Sequence, residues 1–339
     1  MKERIIWLDL MKGIAIILVV LGHIFNRMDE NPINDWIYKF HMPFFFMLSG
    51  FLAIKTLNKP LLQELKKKFI TLFIPFVTCG FTLSWICGKA DRYIFDTFHG
   101  GYWFLLSLFT CWIIFLPIIK ILTHYKCNLV LEIIILILPF FIGNLIMRFM
   151  TEEYISITSF SFTFAFYRFF IIGYFIGKFF FSTNLNQKFK KFYPYKNYLS
   201  ALSTITFIGT SLCIVANKNF ISQIPLTVFQ TVLCISLFFM IYFSYNNITP
   251  FIVNKLTYIG KNSLSIYLFH YLFVYQFPLS DPKDIPLGFQ TIIALGLTSI
   301  VITATLIIAS PFKSNPFLSY IFLGKYNKFY NQKKQSENS

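Results

Sequence analysis

The chain has 339 residues, 56% of them hydrophobic, 20% aromatic and only 13% charged, with a formal net charge of +16 and a mean hydropathy of +0.63. That composition excludes a soluble globular protein and points to a polytopic membrane protein. The basic excess is read as lysine and arginine enrichment of cytoplasmic loops rather than as a nucleic-acid surface.

In chain order the apolar runs predict an all-α fold of about ten transmembrane helices, near 11–27, 36–56, 69–88, 102–122, 129–149, 160–182, 198–216, 221–245, 262–279 and 287–310. Each is close to the ~20 residues that a helix needs to cross a bilayer. No stretch between them is long enough for a separate soluble domain, so residues 1–320 read as one membrane-embedded domain and 321–339 as a basic, disordered cytoplasmic tail. No small-residue cleavage site follows the first apolar run, and further spans come directly after it, so no cleaved signal peptide is expected. Leaving out Lys12 and Arg168, which lie within spans, 21 Lys and Arg fall on one side and 7 on the other. The positive-inside rule then places both termini in the cytoplasm. The cysteines at 79, 87, 111, 127, 213 and 234 show no C-x-x-C and no Cys/His cluster, so neither a disulfide framework nor a metal site is read.

Span one, W-L-D-L-M-K-G-I-A-I-I-L-V-V-L-G-H, carries Lys12 and His23 eleven residues apart, about three turns, on one helix face. Ionisable groups inside a span are candidates for function because burying them in hydrocarbon costs several kcal/mol. Each also has a bland reading: Lys12 snorkels to the cytoplasmic interface, Asp9 pairs with it three residues away, and His23 is a satisfied core histidine. Span two opens F-H-M-P-F-F-F-M-L-S-G-F and puts His41 close in depth to His23, either as a second site histidine or as an interfacial one above the Ser49–Gly50 packing patch. Arg168, mid-span in A-F-Y-R-F-F-I-I-G-Y, is too deep to snorkel easily and must face a cavity or a partner such as Glu132. His270 is either a second acid/base group or a hydrogen-bonded core histidine, with the Tyr267 hydroxyl one turn earlier.

The first-span signature, F-H-M-P-F-F-F-M-L-S-G-F, G-Y-W-F-L-L-S-L-F and I-G-K-N-S-L-S-I-Y-L-F-H occur in this order between residues 9 and 270. Together they resemble the signatures of the membrane acyltransferase-3 family, most closely the branch with fucose O-acetylases and polysaccharide O-acetyltransferases. The resemblance implies an O-acyltransferase of the bacterial cytoplasmic membrane. It would move an acyl group, usually acetyl, from cytoplasmic acyl-CoA, here acetyl-CoA, to a hydroxyl of an extracytoplasmic or lipid-linked glycan. Carried over, His23 matches the family's essential histidine and Lys12 its basic partner, while His41, Trp103 and Ser263 match other motif positions. Many members show R-x-x-R entering span three; here K-K-K-F-I-T aligns Lys68 with the first arginine and Thr71 with the second. Thr71 carries no charge, which leaves a bidentate phosphate grip unsupported there and Lys66 and Lys67 as compensation.

The chemistry fits that role. A neutral histidine suits removal of the hydroxyl proton as oxygen attacks a thioester, or else transient carriage of the acyl group. Lys12, Lys66, Lys67 and Lys68 would meet the coenzyme's phosphates, with no metal required. The alternatives are a secondary transporter or flippase, which the lack of an internal repeat disfavours, and an accessory subunit for export of a polysaccharide intermediate.

Overall fold

The computed structural model describes residues 5–28, 32–86, 88, 93–181, 193–216, 226–274 and 286–325. Among them every regular element is helical. Nine helices are long and apolar enough to cross a membrane, beginning with Ile6–Phe25 (α1) and Pro32–Phe51 (α2). Helices satisfy their own backbone groups, the condition for standing in hydrocarbon. The third crossing starts earlier than residue 69: Leu61–Lys68 (α3) runs through a wider π-type turn at Phe69–Phe73 into Ile74–Ile86 (α4). Then follow Trp103–His124 (α5), Leu129–Met147 (α6), Glu152–Thr158 (α7), Phe160–Phe181 (α8), Lys196–Ala216 (α9) and Leu226–Ser244 (α10).

The ninth expected span is different. After Pro250–Lys261 (α11), the chain leaves the helix at Asn262, resumes over Ser263–Phe269 (α12), turns at His270 and continues as Tyr271–Val274 (α13). This apolar stretch is shorter than a full crossing, and 275–279 lie outside the described residues. Leu287–Ser314 (α14) and Pro316–Ile321 (α15) complete the fold. Of the expected tail, Leu323 is buried, Gly324 packs on the backbone of Thr71, and 326–339 lie outside the described residues.

The chain forms two compact units, each built from two chain segments. The first comprises Met1–Phe51 and Phe175–Leu306. In it α1 and α11 cross at very close range. A Cβ on Gly260 would stand 1.7 Å from the Asp9 carbonyl oxygen, and one on Gly13 would stand 2.1 Å from that of Leu256. Only glycine permits that approach, because backbone on both sides has nowhere to yield. At the N-terminal end of α1, Trp7 packs edge-on against Phe51, Phe238 and Tyr242, so part of the aromatic excess is the core of this unit.

The second unit comprises Leu52–Tyr174 and Ile307–Ser339. There Lys120 donates to the carbonyls of Thr56, Leu57 and Lys59, closing the chain that follows α2. Thr78 donates to the Ile321 carbonyl at 2.9 Å and fixes α15 against α4.

Candidate active site

Site-bearing helix α1 is the most buried of the crossings among the described residues, with 72% of an 18-residue apolar stretch inside the protein. Its polar groups therefore meet protein. Asp9 and Lys12 form the ion pair that their spacing suggests, at 3.6 Å, with the Asp9 side chain buried and that of Lys12 25% exposed.

His23 lies three turns further along α1 and is half-buried. Two hydroxyls hold its ring: Tyr38 of α2 bonds Nδ1 at 3.0 Å, and Tyr271 of α13 bonds Nε2 at 2.9 Å. The His270 ring stacks on it with centroids 5.3 Å apart and planes 30° apart. His270 donates Nδ1–H to the Tyr267 carbonyl at 2.7 Å, while its buried Nε2 has no hydrogen-bond partner among the described residues. With Nδ1 carrying the proton, a neutral His270 presents Nε2 as an acceptor beside His23. Tyr267 serves through its backbone carbonyl, and its ring is 5.9 Å from that of His270.

His41 is buried and donates Nδ1–H to the Ile37 carbonyl one turn back, at 2.7 Å. Its ring is 4.9 Å from that of Tyr38, which also stands edge-on to His23 at 6.0 Å. Tyr38 thus touches both histidines. Ser263, half-buried, opens α12 after the break at Asn262 and lies on the segment that delivers His270 and Tyr271 to His23. The three histidines of the first unit are gathered with two tyrosines into one cluster of exchangeable protons.

The remaining sequence candidates belong to the second unit. Lys66, Lys67 and Lys68 form the last turn of α3, just before the π-type turn that leads into α4. Lys66 is exposed, and the Lys68 ammonium sits 3.4 Å from the centroid of the Trp112 ring. The Thr71 hydroxyl donates to the Lys67 carbonyl at 2.9 Å and is used by its own helix. Trp103 packs on Phe162 and Phe166, at 4.2 and 5.6 Å between centroids. Arg168 is half-buried with its guanidinium 4.9 Å from the Phe169 ring, and buried Glu132, named as its partner, accepts from the Tyr174 hydroxyl at 2.6 Å.

Sequence reading misses three residues. Tyr38 and Tyr271 carry no signal because tyrosine in a span reads as packing; the break at His270, which orients Tyr271, is equally silent. The third is His99, which lies outside the spans at the head of α5 with a left-handed φ of 46°. It donates Nδ1–H to the Tyr93 carbonyl at 3.0 Å, and burial pushes its pKa below the ordinary histidine value, so the ring stays neutral.

Nodulation protein NolL of Sinorhizobium fredii is 39% identical over 85 residues, 22% of this chain and 23% of that protein. NolL of Mesorhizobium japonicum is 31% identical over 145 residues, 37% of this chain and 38% of that one. The chain thus spans less than half the length of either relative. No solved structure matches. The acyltransferase domain that defines the acyltransferase-3 family matches residues 5–310, from before Asp9 to beyond His270. The chain, a multi-pass membrane protein, belongs to that family.

Proposed function

We propose that the protein transfers an acyl group, acetyl in the first instance, from cytoplasmic acyl-CoA to a hydroxyl of an extracytoplasmic or lipid-linked glycan, with His23 as general base. The observation that carries the reading is the His23 ring itself, an imidazole within a buried span bonded at both nitrogens to hydroxyl groups. Hydroxyl is the group that a glycan acceptor brings, so the ring is built to exchange protons with alcohols.

Orientation follows the charge count, with both termini cytoplasmic and the protein in the bacterial cytoplasmic membrane. His23 then lies toward the outer surface and Lys12 toward the inner one. Lys12 in the first unit and Lys66, Lys67 and Lys68 in the second are each candidates to meet the anionic end of acyl-CoA as point charges. As the acceptor oxygen attacks the thioester carbonyl, its proton passes to His23; the C–S bond breaks, and the thiolate takes the proton back. His41 and His270 flank His23 within the first unit, with His270 Nε2 available to accept from a donor group on either substrate, and Arg168 is a further catalytic candidate in the second unit. Asp9 sets the position of Lys12, and Trp103, Ser263 and Tyr267 support the surrounding helices.

Mass spectrometry of surface and lipid-linked glycans from cells with and without the protein tests this reading. An acetyl-sized mass increment present only with the protein is the expected result. Identical glycan masses, with the protein present in the membrane, would contradict it.

A further inference from the structure

The two hydroxyls that hold His23 are not equivalent. Tyr271 is 5% exposed, and Tyr38 is 39% exposed. Tyr271 belongs to the short helix after the turn at His270 and its ring lies 4.8 Å from His23. Tyr38 comes from the first half of α2, and its ring rests on Gly22: a Cβ there would stand 3.2 Å from Tyr38 Cε2. Glycine before His23 makes room for that ring.

A neutral imidazole has one N–H and one lone pair, so one of the two hydroxyls accepts and the other donates. Losing Tyr271 would strand buried polar atoms, whereas Tyr38 can leave the ring and find water or another partner on its exposed side. We propose that Tyr38 is a resident stand-in for the acceptor: its hydroxyl donates to His23 Nδ1 as the glycan hydroxyl does during transfer, and the acceptor must displace it. Tyr271 accepts from Nε2–H and fixes the ring with its Nδ1 lone pair toward the acceptor. This inference rests on His23 being the base. Its consequence is protection of the donor. While Tyr38 occupies Nδ1, water is not activated, so the thioester is hydrolysed only slowly, in the moments when Tyr38 leaves; acceptor arrival both uncovers and uses the base.

The test is release of free thiol from acetyl-CoA by the purified full-length protein in lipid nanodiscs without acceptor. Tyr38→Phe should raise this hydrolysis about tenfold, the worth of one competing hydrogen bond, and Tyr271→Phe should lower it about tenfold. Gly22→Ala, which pushes the Tyr38 ring while keeping its hydroxyl, should shift hydrolysis in the same direction as Tyr38→Phe and replaces that variant if it does not fold. In the His23→Ala, Tyr38→Phe double variant the gain should vanish. Unchanged or lower hydrolysis in folded Tyr38→Phe, with His23→Ala inactive in glycan transfer, overturns the stand-in while leaving the base assignment intact. Full transfer by folded His23→Ala removes the base assignment and this inference with it.

Discussion

Helices α1 and α9 have nearly the same length and both are apolar enough to cross the membrane, yet 72% of an 18-residue apolar stretch is inside the protein in one and only 6% in the other. Their polar residues explain why one carries a site. Along α9, Thr204, Thr206, Thr210 and Ser211 each donate to the carbonyl four residues back. Short hydroxyls can satisfy themselves on their own helix, so they stand in lipid at little cost. Asp9, Lys12 and His23 of α1 carry charge or a second ring nitrogen that no carbonyl on the same helix can satisfy. They need protein around them, and His23 finds it in residues 15 and 248 positions away. In a bilayer, apolarity marks a crossing; the type of polar residue marks which crossings are inside.

The comparison is broken most severely at the α1–α11 contact. Gly260→Ala places a methyl within 1.7 Å of the Asp9 carbonyl, and overpacking of this kind should cost about 3 kcal/mol or more. The expected outcome is loss of folded protein on a thermal-shift or detergent size-exclusion assay; a yield equal to that of the parent would show that the crossing is looser than described. Next in size, Tyr271→Phe leaves the fold intact but frees His23 Nε2, and acyl transfer should fall about tenfold. On α9 the corresponding glycine change is harmless. A Cβ on Gly209 meets nothing within 4 Å, so Gly209→Ala should raise stability by about 0.5–1 kcal/mol through helix propensity, read as a higher unfolding temperature. Smallest is Thr206→Val, which removes only a hydroxyl bonded to the Leu202 carbonyl on an exposed helix face; stability and activity should stay within about 0.5 kcal/mol of the parent.

Much of this is legible in the residues. Apolar runs locate the crossings, the i,i+3 spacing anticipates the Asp9–Lys12 pair, and a histidine in a span flags His23. The third crossing begins eight residues before the expected position because the lysine-rich stretch 61–68 is helical despite its charge and continues through the π-type turn into α4. What stays hidden depends on pairings between helices distant in sequence. Glu132, offered as a partner for Arg168, also accepts from the Tyr174 hydroxyl, a contact that nothing in the spacing singles out. Tyr38 and Tyr271 become site residues only when α2 and the segment after His270 are brought against α1. Gly13 and Gly260 sit inside recognisable motifs, but nothing in either motif says that they face each other's helices.

Transfer by His23→Ala measures the central claim most directly. With equal amounts of folded wild-type and variant protein in the membrane, mass spectrometry of the acylated glycan should show transfer reduced by a factor of about 10²–10⁴, the usual contribution of a positioned general base. Acylation by His23→Ala at the wild-type rate would contradict the account.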